Sequence, residues 1–227
     1  MYARFWKRIM DATVSLLTLV VLFPVLLLLT ILGAIIMKGN PFFTQIRPGK
    51  DEKLFRLVKF RSMTCETDSE GNLLPDEKRL TKYGRFLRSS SLDELPELWN
   101  ILTGDMSFVG PRPQLVRDMV FMTPEQRKRH SVRQGLTGLA QINGRNQMTW
   151  EEKLGFDLVY IENITFLNDL KILWKTVGKV FAREGVNAEG MDTAEDLGDY
   201  LLRKGAVTSQ EYCNKQTQAD EFMALTR

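Results

Sequence analysis

Between Ala12 and Met37 the chain carries no charged residue, and Leu, Val and Ile dominate the run. As a helix rising about 1.5 Å per residue, such a segment is long enough to cross a bilayer core of ~30 Å. Two features bear on its path. Pro24 lies near the middle and leaves two halves of about a dozen residues, each too short to span alone. Both flanks are basic, with Arg4, Lys7 and Arg8 before the run and Lys38, Arg47 and Lys50 after it. The tendency of positive charge to stay on the cytoplasmic side favours keeping both ends there. The residues leave two paths open: a true span, or a helix that enters, breaks at Pro24 and returns on the same side. The run is too long for a cleaved signal peptide and no small-x-small cleavage site follows it.

The rest of the 227 residues suffices for one globular domain with attachments. A net charge of +3 argues against nucleic acid as the main partner and suits anionic lipid or phosphorylated substrates. Cys65 and Cys213 are too few for a disulfide framework or a cysteine-built metal site. One histidine, His130, excludes a multi-histidine centre. A metal in this chain must be held by oxygen, which points to Mg²⁺ or a similar hard cation.

A second membrane signal lies near the far end. Phe166, Leu170, Leu173, Trp174, Val177, Val180 and Phe181 recur at helical spacing, with Lys171, Lys175, Lys179 and Arg183 on the other side. The pattern suits a basic amphipathic helix on an anionic leaflet, or equally a surface helix packed on the domain core.

Two adjacent carboxylates, Asp93 and Glu94, stand where an apolar helix begins, with Arg85 and Arg88 just before them. Such a pair can divide two tasks, one attacking phosphorus while the other holds a cation, and flanking arginines can hold the phosphate. The same residues also read as a capping box, Ser91 with Glu94. Pro96 then falls beyond the first turn, whereas a start at Asp93 makes Asp93 the cap; both geometries stay open. The helix is expected to bury Leu95, Leu98, Trp99 and Leu102 and to end at Gly104.

Phe42 to Ile46 and Leu54 to Phe60 read as two strands joined by Arg47-Pro48-Gly49-Lys50. Lys59 continues the apolar face of the second strand, as a snorkelling residue or a phosphate ligand. Glu66 to Arg79 reads as a loop. Pro111-Arg112-Pro113 fixes the backbone on both sides of one arginine, which suits bidentate phosphate binding or a plain exposed turn. Arg127-Lys128-Arg129-His130 reads as a solvated face. Gly135-Leu136-Thr137-Gly138 and Asn143-Gly144-Arg145 are loops whose backbone could approach a phosphate or nucleotide, though neither is a Walker loop or a dinucleotide fingerprint. Beyond about residue 190 the composition turns polar; a short helical pattern from Leu197 to Leu202 and another around Gln210 read as a loosely packed tail.

Taken in order, Lys59-Phe60-Arg61-Ser62-Met63, Ser91-Leu92-Asp93-Glu94-Leu95-Pro96, Gly104-Asp105-Met106-Ser107, Gly110-Pro111-Arg112-Pro113, and Thr137-Gly138 through Asn143-Gly144-Arg145 resemble the bacterial sugar transferase family. Within it the chain is most similar to the small PglC-type monotopic phosphoglycosyl transferases, over about residues 1 to 190. The resemblance implies transfer of a phosphosugar from a UDP-sugar donor to a polyprenyl (undecaprenyl) phosphate acceptor at the cytoplasmic face of the bacterial inner membrane. It implies Mg²⁺, a ping-pong reaction through a covalent intermediate on Asp93, Glu94 beside it on the metal, and Lys59, Arg88, Arg112 and Arg145 around the phosphates. It also implies a re-entrant anchor broken at Pro24. Two positions depart from the family pattern: Phe23, where close relatives often carry serine, and Gln134, where relatives have proline. The rival from another class is a membrane-anchored adaptor that recruits downstream glycosyltransferases through its tail; the intact Asp93, Glu94 and Arg112 argue against it. The expected architecture is α+β and mostly helical: a re-entrant membrane helix over 1–38, a catalytic domain with a small β-hairpin and interfacial amphipathic helices over 39–190, and a polar tail over 191–227. The identity of the sugar is not legible.

Overall fold

The apolar run folds as a single helix in the computed structural model, which describes residues 2–144, 148–181 and 195–224. Helix α1 (Lys7–Ile36) contains Pro24 without interruption. The expected break is therefore corrected to a proline inside a continuous helix. Proline removes one N–H from the ladder, and such sites bend helices without ending them. Along α1 one narrow stripe is covered, formed by Asp11, Ser15, Leu29 and Gly33, with Leu19 and Leu26 partly packed. The rest of its surface is bare, including Leu17, Val20, Val21, Phe23, Leu28, Ile31 and Ile35.

The stripe rests on the domain at both ends. Near the start, both Arg8 Nη atoms donate to the Ile101 and Leu102 carbonyls at 2.8 and 2.7 Å, and Ser15 Oγ donates to the Leu98 carbonyl at 2.6 Å. Near the end, Tyr83 donates to the Leu29 carbonyl at 2.8 Å, and Leu29 is buried with Phe60 and Leu87.

Strands β1 (Phe42–Pro48) and β2 (Leu54–Phe60) form the expected antiparallel hairpin, Phe42 opposite Phe60 and Pro48 opposite Leu54. After it come a helical turn, α2 (Asp76–Arg79), and α3 (Lys82–Ser89), capped by Thr81. Helix α4 (Glu97–Thr103) begins only after Pro96 and ends at Gly104, whose φ of 96° lies in the left-handed region that glycine tolerates. Its buried face is Glu97, Leu98, Asn100 and Ile101. Trp99, expected inside, is 58% exposed. The face is set by Asn100, which bridges the β2 backbone: its Oδ1 accepts from the Val58 N–H at 3.1 Å and its Nδ2 donates to the Arg56 carbonyl at 2.9 Å. That contact turns Trp99 outward.

A second, parallel pair of strands went unforeseen. β3 (Met106–Val109) pairs with a later strand, β4 (Gln134–Thr137), Met106 facing Gln134. Between them lie two short helices, α5 (Val116–Met119) and α6 (Pro124–Arg127), and a 3₁₀ turn, Lys128–Ser131, that carries Arg129 and His130. After β4 come α7 (Leu139–Asn143), α8 (Trp150–Glu162) and α9 (Phe166–Phe181). Helix α9 settles which residues meet the core. Ile172 is fully buried, Asp169 nearly so, and Leu173 partly packed. Leu167, Leu170, Trp174 and Val177 are bare, Trp174 at 80%. The helix thus offers a second apolar face outward, beside exposed Lys171 and Lys175. Arg183 lies outside the described residues.

The C-terminal segment corrects the reading of a loose tail. Helices α10 (Leu197–Arg203) and α11 (Ser209–Ala224) dock on α5, and α10 also reaches Glu151 of α8 through Tyr200 and Lys204. Leu197, Tyr200 and Ala219 are buried with Val116, Met119, Phe121 and Trp150. Asp118 fixes the start of α10 by accepting from the Leu197 N–H at 2.9 Å. The apolar positions are few and widely spaced among polar ones, so the burial escapes a periodicity test.

Candidate active site

The dyad sits on a turn built by a strained residue. Ser91 adopts a left-handed conformation, φ 55°, and caps nothing with its side chain. Leu92–Glu94 then form a 3₁₀ turn, and α4 starts with Pro96 at its cap position. Neither geometry left open by the sequence is adopted, and the Ser91–Glu94 capping box does not form. Proline is tolerated there because its missing N–H would be unpaired at a helix start anyway.

Freed from capping, Glu94 turns toward two cations. Its Oε1 accepts from Lys59 Nζ at 2.9 Å and from Arg112 Nη2 at 2.5 Å. Lys59 therefore points inward from β2 and does not snorkel. Its Nζ also meets Glu97 Oε1 at 3.0 Å. Arg88 approaches from α3, its Nε donating to Ser62 Oγ at 3.0 Å. Structure thus brings together Lys59, Arg88, Asp93, Glu94 and Arg112 from one strand, one helix and two turns. Arg145 lies outside the described residues, and Pro24 lies on α1, apart from this cluster in sequence and role.

Charge is divided unequally among the three carboxylates. Burial alone would raise Glu94, but Arg112 and Lys59 overcome it and hold the group well below the usual carboxylate range. Burial raises Asp93, with the Glu94 charge adding to it and Lys59, Arg112 and Arg88 opposing. Burial pushes Glu97 up to about 7 in spite of Lys59. Lys59 is raised: its own burial opposes ionisation, and Glu94 and Glu97 outweigh that cost.

Glu97 is the residue that sequence reasoning missed. It is buried one helical turn after Glu94, and the three-residue spacing was a usable signal that both could reach one cation. Arg129 and His130 were also misread. Only Lys128 of the Arg127–His130 run is exposed, paired with Glu125; Arg129 and His130 are almost wholly buried. The glycines of Gly135–Gly138 serve packing. A Cβ on Gly135 would stand 2.1 Å from the Gly110 nitrogen, so glycine is what allows this backbone to lie against the Gly110–Pro111 segment.

Among the described residues, no three His, Cys, Asp or Glu side chains converge as a metal-binding group. Asp93 and Glu94 are adjacent hard-oxygen donors. That fits a cation of the Mg²⁺ type, which takes one or two carboxylates and fills its shell with water and substrate phosphate.

An acidic pair surrounded by cations thus lies in a chain that also carries one long, largely exposed apolar helix. The sequence model of the bacterial sugar transferase family matches residues 2–183, and the chain belongs to that family. Relatives agree. EpsL of Bacillus subtilis, named as an uncharacterized sugar transferase, is 50% identical over 83% of this chain and 94% of its own length. The UDP-glucose:undecaprenyl-phosphate glucose-1-phosphate transferase of Klebsiella pneumoniae is 41% identical over 78% of this chain and 40% of its own length. The undecaprenyl-phosphate galactose phosphotransferase of Salmonella typhimurium is 34% identical over 81% of this chain and 42% of its own. Against these last two the chain spans about two fifths of the relative's length.

Proposed function

We propose that the protein is a phosphoglycosyl transferase that moves a phosphosugar from a UDP-sugar to polyprenyl phosphate, giving polyprenyl-diphosphate-sugar and UMP. The observation that carries this reading is the placement of Asp93 beside Glu94 among Lys59, Arg88 and Arg112. The named activities of the Klebsiella and Salmonella relatives support the donor and acceptor classes.

In the first half-reaction an Asp93 carboxylate oxygen attacks the sugar-bearing phosphorus. The bond from that phosphorus to the bridging oxygen breaks, and UMP leaves with the electron pair. In the second, a phosphate oxygen of the lipid attacks the same phosphorus and the aspartyl ester bond breaks, restoring the carboxylate. A covalent intermediate divides one hard transfer into two easier ones. Glu94 and Asp93 would hold Mg²⁺, which when bound would supply positive charge against the diphosphate. Arg112 and Lys59 are occupied by Glu94 in the absence of substrate. Donor phosphates take over these two cations and release Glu94. The cations thereby lower the repulsion between an anionic nucleophile and an anionic diphosphate.

The protein sits monotopically on the cytoplasmic face of the inner membrane in this reading. A straight helix the length of α1 would be about 45 Å long. Both its arms nevertheless rest on one domain, through Arg8 and Ser15 at one end and Leu29 at the other. A span would carry one end away from that domain. The bare faces of α1 and α9 exceed what a soluble monomer leaves in water. They suit immersion to the depth where a lipid phosphate lies.

The test incubates purified protein with Mg²⁺, undecaprenyl phosphate and a panel of UDP-sugars and measures UMP. The reading expects UMP from at least one donor, with a first burst before any lipid acceptor is added. Strict dependence of that burst on the acceptor would show direct transfer and overturn the covalent step.

A further inference from the structure

Arg112 sits between two prolines, so its segment has little N–H capacity with which to anchor itself. Its carbonyls carry the load. The Gly135 N–H donates to the Pro111 carbonyl at 2.8 Å, Arg129 Nη2 to the Arg112 carbonyl at 2.5 Å, and Arg47 Nη1 to the Pro113 carbonyl at 3.3 Å. Three consecutive carbonyls are thus held by three different elements. The middle grip is the strongest of the side-chain contacts, being short and charge-assisted.

Arg129 is itself fixed. It has no exposed surface, and its Nε and Nη2 meet Asp157 Oδ2 at 2.9 and 2.8 Å. Asp157 stands on α8, nearly as buried. A buried ion pair is a poor source of stability, because desolvation offsets the attraction and apolar replacements are often neutral. Stability alone therefore gives no reason to bury two charges here. What the pair does uniquely is aim a guanidinium edge at the Arg112 carbonyl.

We propose that Arg129, held by Asp157, is a positioning residue of the transfer reaction: it sets the backbone from which Arg112 reaches the donor phosphates. The proposal rests on the reading of Arg112 as a phosphate ligand. Arg129 touches no reacting atom and acts only through Arg112.

The readout is the rate at which purified protein with Mg²⁺ and an active UDP-sugar forms the phosphosugar adduct on Asp93, followed by intact mass. Single-turnover adduct formation measures slow rates as well as fast ones. Arg129→Met combined with Asp157→Leu removes both charges together and leaves no unpaired ion. In the otherwise native protein this pair of changes should slow adduct formation by about ten- to a hundredfold, the scale on which a small misplacement of a binding group acts. In an Arg112→Ala background the same changes should cost less than about twofold, since the group they position is gone. An equal loss in both backgrounds, or no loss in the native one, overturns the proposal. Should the paired variant not fold, Arg129→Lys keeps a cation on Asp157. One ammonium lacks the fork needed to hold both the carboxylate and the carbonyl. It should slow adduct formation about tenfold with the fold retained; an unchanged rate overturns the proposal. A native protein that forms no adduct with any UDP-sugar instead sinks the proposed function, and this inference with it.

Discussion

Glu94 and Arg112 are joined by an ion pair of 2.5 Å, and the same Glu94 oxygen also takes Lys59 at 2.9 Å. Without substrate, the acid expected on the metal is thus engaged with cations expected on the phosphates. Binding must exchange these partners. Glu94→Gln frees Arg112 but weakens the cation site. It should cut the UMP burst by about a hundredfold or more, the scale of losing one preorganised electrostatic group. It should also raise the Mg²⁺ concentration at half-maximal rate. Excess EDTA should abolish turnover of the native enzyme. Activity that survives EDTA removes the metal from the mechanism.

Asp93 is expected to carry the covalent intermediate. Asp93→Asn should lose turnover by at least about three orders of magnitude, because the amide is no nucleophile toward phosphorus. Membrane attachment and the circular dichroism spectrum should be unchanged. Peptide mapping of the trapped adduct should find the phosphosugar on Asp93. Native-like activity in a preparation verified free of deamidation rules the assignment out.

Both ends of α1 are expected on the cytoplasmic side. Single cysteines at Tyr2 and Asn40, in a chain lacking Cys65 and Cys213, should resist an impermeant thiol reagent in intact cells and react once the inner membrane is opened. Labelling at Tyr2 alone in intact cells would establish a span. Pro24→Ala restores a donor to the ladder and should stiffen the helix toward spanning. Unchanged topology and activity in Pro24→Ala would show that contacts of α1 with the domain set its path without the proline.

His130 gives a stability signature in pH. Burial, with the Arg129 charge beside it, lowers its folded value from 6.5 to about 3. The unfolded chain therefore takes up the proton first as pH falls. The stabilisation is complete above 6.5 and is lost progressively below it, toward about 3. At pH 5.5 the loss is on the order of 1 kcal/mol relative to pH 7.5. For a chain of this size that lowers Tm by about 2–4 °C. His130→Phe should flatten this slope between pH 7.5 and 5.5. A slope that is the same in native and variant protein assigns it to other groups.

Short-range chemistry, legible in the sequence, determined the apolar run, the hairpin from Phe42 to Phe60, the Gly104 stop and the Asp93–Glu94 pair. Composition and turn residues act over a few positions, so each could be read where it stands. The motif series likewise gave the family, since it lies in the order of the residues. Tertiary structure alone decided the burial of Arg129 and the docking of α10 and α11. It also decided the parallel pairing of β3 with β4, the outward turn of Trp99 and the carboxylate of Glu97 on Lys59. The reason is partnership at a distance. A charged residue is buried only where a remote partner compensates it. Asp157 is 28 residues from Arg129, and Lys59 is 35 from Glu94. Nothing in the local pattern around Arg127–His130 records a partner that the fold has yet to bring near, and the spacing of Glu94 and Glu97 shows that they can share a cation but not that the cation is Lys59.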